Sequence, residues 1–181
     1  MNRAPESRGR IHLKYFYCIN IYCDYICEVK TPQAIQMTSF ASPQEQLALT
    51  VLHTASTMLN HHRTLLKPHG ITPEQFNILR ILRGQQGHPL ALRDISGRMI
   101  DRNSNTSRLV DKLLAKGLVR RETCHNDRRR VDIALTEEGD SLTTQLKAVM
   151  DENMRSLQSV WSEEDALKAI DLLDAWNDTQ P

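Results

Sequence analysis

The sequence predicts a mainly α-helical fold carrying one small β-hairpin, an α+β arrangement with long amphipathic helices near both ends. Three observations carry this expectation. Between Asn103 and Lys116 the side chains separate at about 100° per residue: Thr106, Leu109, Val110, Leu113 and Leu114 share one side. Ser104, Ser107, Arg108, Asp111 and Lys112 occupy the other, with Asn105 and Lys116 on its flank. After Gly117, which stops that helix, residues 118–123 and 131–136 read as strands around a polar turn at 124–130, with Val131, Ile133 and Leu135 alternating on one face. Finally, residues 43–70 and 137–178 hold apolar series at helical spacing that exceed what a domain this small hides within itself.

Residues 1–36 differ from the rest. They hold all four tyrosines and three of the four cysteines and show neither helical nor strand periodicity. The run YFYCINIYCDYIC is interrupted by Asn20 and Asp24 and lacks a small-residue cleavage site, which argues against a secretory signal. Cys18, Cys23 and Cys27, with four and three residues between them, match no common zinc pattern. The reading favoured is a disordered or non-native extension, with translation starting at Met37; an intact mass matching residues 1–181 in protein from its native host would refute it.

From Met37 onward each helix announces its own start. Ser42-Pro43-Gln44-Glu45 supplies an N-cap, a proline at the first position and a carboxylate that reaches back. Leu47, Val51, Leu52, Ala55, Met58 and Leu59 are expected to face inward, and the helix to end near Pro68 to Gly70. Thr72-Pro73-Glu74-Gln75 repeats the signal for a helix bearing Phe76, Ile78, Leu79 and Leu82, which stops at 84–87. His88-Pro89-Leu90 is an extended link or a third strand. Leu92, Ile95 and Met99 line a short helix, followed by a turn at 100–102. Thr136 caps a long helix with Glu137 and Glu138 in its first turn and Leu142, Leu146, Val149, Met150, Leu157 and Val160 along it. Ser162 begins a last helix with Leu167, Ile170, Leu172, Leu173 and Trp176.

Short helix, turn, longer helix and hairpin at 72–136 make a winged helix-turn-helix, whose second helix enters the major groove of DNA. At this point SRLVDKLLAKGLV, followed by DRRRVDIALTEEG from Asp127 to Gly139, resembles the MarR family of bacterial regulators, whose wing reads D-x-R-x-x-x-(aliphatic)-x-L-T-x-x-G. The similarity covers roughly residues 43–176. It implies a homodimer in which the helices of 43–70 and 137–178 interlock with a second subunit, and a dimeric sequence-specific DNA-binding transcriptional regulator. Repression released by a small-molecule effector, often aromatic or phenolic, is the commoner family outcome. A two-fold dimer sets its recognition helices about 34 Å apart and so implies a palindromic operator.

The wheel and the motif assign roles. Ser104, Asn105, Ser107 and Arg108 lie in the half of the helix that enters the groove, and Arg108 suits a bidentate guanine contact unless it pairs with Asp111 or Asp94. Asn103 is an alternative helix cap. Lys112 and Lys116 suit phosphate. The resemblance implies that Asp127 orients Arg129 into the minor groove; Arg128 and Arg130 are further cations there or an ordinary solvated run. Net charge is only +1, but residues 88–136 hold eleven Lys/Arg against six Asp/Glu, while 137–181 hold three against eleven. The middle of the chain can attract a polyanion and its end avoids one.

Other classes find less support. Cys124, His125 and Asp127 crowd a hairpin tip without the geometry of an activated nucleophile, and no phosphate-cradling glycine loop or HExxH is present, so no enzyme and no resident cofactor is expected. His53, His61 and His62 are candidates for an effector pocket or zinc, against the plainer reading of surface histidines, and no metal site is assigned. Cys124 as a redox switch is a weaker variant, because the family's oxidant sensors carry their cysteine in the first helix. An architectural DNA-binding protein without ligand control shares every element above and differs only in discriminating poorly between sites. The expected compartment is the cytoplasm.

Overall fold

The computed structural model describes residues 30–37, 39–123 and 131–179. Among them run α1 (Thr31–Ala34), α2 (Pro43–Leu66) with a 3-10 turn (Lys67–His69), α3 (Pro73–Arg83), β1 (Leu90–Ala91), α4 (Leu92–Gly97), α5 (Thr106–Ala115), β2 (Val119–Thr123), β3 (Val131–Leu135), α6 (Glu137–Gln158) and α7 (Glu163–Asn177). The chain divides into two compact units, Met1–Ala55 and Ser56–Pro181.

The described part of the first unit holds α1 and the first half of α2. Gln33 closes the single turn of α1 by accepting from the Lys30 amide at 2.9 Å. α2 starts where its sequence says: the Glu45 amide donates to the Ser42 hydroxyl at 3.1 Å, and the Glu45 carboxylate accepts from the Ala41 amide. The inward series predicted for this helix is not covered, however. Leu47 and Leu52 here, like Met58 and Leu59 further along α2, are exposed, and only Leu66 of the whole helix is buried.

The second unit has a continuous core of Leu66, Ile71, Ile78, Leu79, Leu82, Ile95, Val110, Leu113, Leu118, Ile133 and Leu146. α3 enters it through a reciprocal cap. The Gln75 amide donates to the Thr72 hydroxyl at 3.3 Å, and the Gln75 side-chain oxygen accepts from the Thr72 amide at 3.1 Å. Gly117, at φ +68°, ends α5; the next amide, Leu118, donates to the Leu113 carbonyl at 3.1 Å.

The sheet has the order β1-β3-β2, all antiparallel, with Leu90 opposite Ile133 and Val119 opposite Leu135. β1 is thus the third strand that 88–90 suggested. It makes β3 central, which overturns the simple alternation expected there. Asp132, Ile133 and Ala134 are all buried, whereas Val131 stands 49% exposed at the outer end. Strands pair with β3 along both edges, and α3, α4 and α6 pack against it, which a lone hairpin would lack.

α6 leaves the sheet through a tight joint. Thr136 donates its hydroxyl to the Gly117 carbonyl at 2.7 Å, and the same oxygen accepts from the Gly139 amide at 3.0 Å. Leu146 and Met150 are buried, while Val149 and Val160 are not. The side chain of Leu157 lies outside the described residues. The Ser162 hydroxyl caps α7 by accepting from the Asp165 amide at 3.1 Å, and α7 buries no residue in its own chain. Among the described residues no helix is long and apolar enough to cross a membrane.

Candidate nucleic-acid interface

The exposed face of α5 begins with the turn between α4 and α5. The helix predicted from Asn103 starts three residues later, at Thr106. Asp101 is the reason: one carboxylate oxygen accepts from the Asn103 amide at 2.9 Å and the other from the Ser104 hydroxyl at 3.0 Å, which holds both residues in a non-helical turn. Neither Asn103 nor Ser104 is therefore part of the helix. The cap is Asn105, whose side-chain oxygen accepts from the Arg108 amide at 3.1 Å. One lone pair of that oxygen is committed to the helix terminus, and the amide nitrogen is the donor that Asn105 can offer a ligand.

On α5, Thr106, Val110 and Leu113 are buried and Ser107, Arg108, Asp111 and Lys112 are exposed, the split that the wheel predicts. The carboxylates that could have claimed Arg108 are taken. Asp111 pairs with Arg121 of β2 at 2.8 Å and Asp94 with Arg93 at 3.3 Å. Among the described residues, no carboxylate pairs with Arg108 or Lys112. Lys116 is different: its ammonium donates to the Gly70 carbonyl. Arg120 of β2 is likewise occupied, bridging Glu122 at 2.7 Å and the Leu135 carbonyl. The wing residues Asp127, Arg128, Arg129 and Arg130, together with Cys124 and His125, lie outside the described residues.

Beneath this turn lies a cavity of about 490 Å³ whose wall includes Leu59, His62, Phe76, Asn77, Arg80, Met99, Ile100, Asp101, Met150 and Met154. Its surface is mostly apolar, but Arg63, Glu74, Asp101, Lys147 and Asp151 also line it, beside Asn77, Arg80 and His62. Arg80 lies over the Phe76 ring, 5.9 Å from its centroid. Asn77 accepts from the Ile100 amide at 3.0 Å. The His62 Nε2 is buried with no hydrogen-bond partner among the described residues. Burial, with neighbouring His61 and Arg80, pulls the His62 pKa below the ordinary histidine range. His61 points away and meets the Asn153 side-chain oxygen at 2.7 Å. His53 belongs to the other unit. No cluster of three His, Cys, Asp or Glu among the described residues is placed to hold a metal. Sequence reasoning named His62 but missed Asn77, Arg80 and Asp101, which only the folding of α3 against the turn brings to one wall.

Comparison with known proteins decides the family. The MarR family model matches residues 71–131, from the start of α3 to the start of β3. The transcriptional repressor MprA of Escherichia coli K12 is 30% identical over 135 residues, covering 71% of this chain and 75% of its own. The chain belongs to the MarR family. The homoprotocatechuate degradative operon repressor of Escherichia coli is 24% identical over 130 residues, covering 72% of this chain and 86% of its own. Among solved structures, the DNA complex of Staphylococcus aureus MepR superposes with a TM-score of 0.67 at 25% identity, over 77% of this chain and all of that one. This MarR-family transcriptional regulator is thus a winged helix-turn-helix protein in which α4 and α5 are the helix-turn-helix and β2–β3 the wing.

Proposed function

We propose that the protein is a homodimeric, sequence-specific DNA-binding regulator that represses transcription and is released by a small-molecule effector. The observation that carries this is the exposed face of α5, where Ser107, Arg108 and Lys112 stand without competing carboxylates among the described residues while both arginines on β2 are paired. Arg108 reads guanine through its fork, Ser107 and the Asn105 amide make shorter polar contacts, and Lys112 meets phosphate. Ser104, held by Asp101, serves the approach of the backbone. Lys116 braces the helix against Gly70 and touches phosphate only if that contact opens. In the wing, Arg129, oriented by Asp127, enters the minor groove, with Arg128 and Arg130 beside it. Two relatives named as repressors support repression. The helices of 43–70 and 137–178 form the dimer and 72–136 the DNA-binding unit.

The cavity supports effector control. Its size suits a small organic molecule, and its apolar wall suits an aromatic ring. A neutral imidazole with one nitrogen buried and unpartnered can accept from a phenolic hydroxyl. Regulation rather than catalysis is the role, and the cytoplasm its compartment. Fluorescence anisotropy on a site selected by the protein from random DNA, beside a shuffled control, tests the reading. We expect at least about 10³-fold preference for the selected site and a steep salt slope. Equal weak binding to both DNAs would replace it with an architectural role. Addition of phenols to the complex then tests release.

A further inference from the structure

The cavity and the reading helix are joined by hydrogen bonds rather than by apolar packing alone. Met99 is the last buried residue before α5, and the Ile100 side chain after it is 83% exposed. What fixes the turn beyond that point is polar. The Ile100 amide donates to Asn77 at 3.0 Å; the Asn103 amide and the Ser104 hydroxyl donate to the Asp101 carboxylate, and the Ser104 amide donates to the Asp101 carbonyl at 3.2 Å. Ser104 is followed directly by Asn105, the cap of α5. Both acceptor side chains, Asn77 and Asp101, are also part of the cavity wall.

We propose that Asn77 and Asp101 are positioning residues that tie the reading end of α5 to the state of the cavity. This rests on the cavity being the effector site. An occupant that engages the Asn77 amide or the Asp101 carboxylate competes with the turn for the same acceptors. Residues 100–104 then lose their fixed path, and Ser107 and Arg108 lose their register on the bases. Such an occupant shifts the equilibrium only by the difference in its affinity for the two arrangements of the turn.

The test needs no effector. Met154→Trp places a bulky side chain in the cavity as a stand-in occupant, and Asn77→Ala cuts the link. Each variant, the double variant and the wild-type chain are titrated against the selected site and its shuffled control, with melting temperatures recorded. Coupling free energies of this kind correspond to roughly 5–150-fold. We expect about tenfold weaker binding to the selected site for Asn77→Ala and for Met154→Trp. Binding to shuffled DNA and the melting temperature should be unchanged, and the double variant should be no weaker than Asn77→Ala alone. Asp101→Asn, which keeps one oxygen acceptor, should lose less than Asp101→Ala. Additive losses in the double variant, unchanged selected-site affinity, or equal losses on both DNAs with a lower melting temperature would each overturn the coupling. If the wild-type chain selects no site, the proposed function fails and the coupling with it; a selective wild type with additive variants sinks the coupling alone.

Discussion

At the scale of single residues, Lys112 on α5 and Lys116 just past its end differ in their surroundings, and the proposed roles differ with them: DNA contact for the first, bracing for the second. Lys112 is exposed without an ionic partner among the described residues, whereas Lys116 is tied to the Gly70 carbonyl. Each phosphate contact contributes about 0.9 to the salt slope of binding. Lys112→Met removes one contact from each subunit of the dimer and should therefore lower the slope by about two and weaken all sequences alike, while Lys116→Met should leave the slope unchanged and lower the melting temperature. A drop in slope for Lys116→Met would put its ammonium on the DNA. Arg108→Ala should cost about 1–3 kcal/mol on the selected site and relax preference at one base position, read by titrating single-base variants of that site. His62 gives a pH signature. Its pKa is lowered in the fold, chiefly by burial, so the unfolded chain binds the proton more readily. The stability this contributes is present above about pH 6.5 and is lost as pH falls through the lower folded value. Between pH 7.5 and 5.5 the melting temperature of His62→Phe should fall less than that of the wild type; equal slopes would show that His62 is solvated. Arg108 and Lys112 were legible because exposure on a helix follows from periodicity. The cap was not, since Asn103, Ser104 and Asn105 are all good caps and Asp101 decides among them by seizing the first two. Asn77 was hidden for a related reason: its partner is 23 residues away.

At the scale of elements, the joint between the sheet and α6 explains the last glycine of the wing signature. A Cβ on Gly139 would sit 1.9 Å from the Leu118 carbonyl oxygen, which is backbone and cannot swing away. The same turn binds Thr136 to both Gly117 and Gly139, so the helix start is pinned against the end of α5. In an open helix interior, Gly→Ala stabilises by roughly 0.5–1 kcal/mol. Here the clash must push α6 off the strand, and Gly139→Ala should destabilise by about 2 kcal/mol or more, as overpacking against backbone does. Chemical denaturation checks the sign, and a neutral or stabilising result would mean that the joint is loose. The helix starts at Ser42, Thr72, Thr136 and Ser162 were all readable because a cap is a local event: a side chain and an amide three residues on. The burial of β3 was not local. It depends on β1, two residues long and without a strand signature, docking beside it. The inward face assigned to α2 fails differently, since its periodicity identifies an apolar stripe but not the chain that covers it.

At the scale of the whole molecule, uncovered apolar surface is the feature that demands a partner. Leu167, Ile170, Leu173 and Trp176 recur every third residue along α7, yet the helix buries nothing in its own chain, and Leu172 beside them is 72% exposed. Leu47 and Leu52 leave α2 in the same condition. Monomers seldom expose contiguous apolar area on this scale, and a stable pairing of copies buries about 800 Å² from each. The charge pattern narrows what covers α7. Residues 137–181 carry eleven acids against three bases, a balance that disfavours a polyanion and favours a protein partner, whereas residues 88–136 carry eleven bases against six acids. Light scattering at micromolar concentration should give twice the 20.8 kDa chain mass. Leu173→Glu with Trp176→Glu puts two charges into the proposed interface and should yield the single-chain mass. In that variant the salt slope on the selected site should fall to about half, because one reading helix and its phosphate contacts remain of two. Its affinity for an isolated half-site should stay close to that of the wild type, which separates loss of pairing from loss of fold. A wild-type chain that stays monomeric and binds a half-site as tightly as the full palindrome would refute the two-fold arrangement. The exposed rows on α2 and α7 would then need a partner other than a second copy.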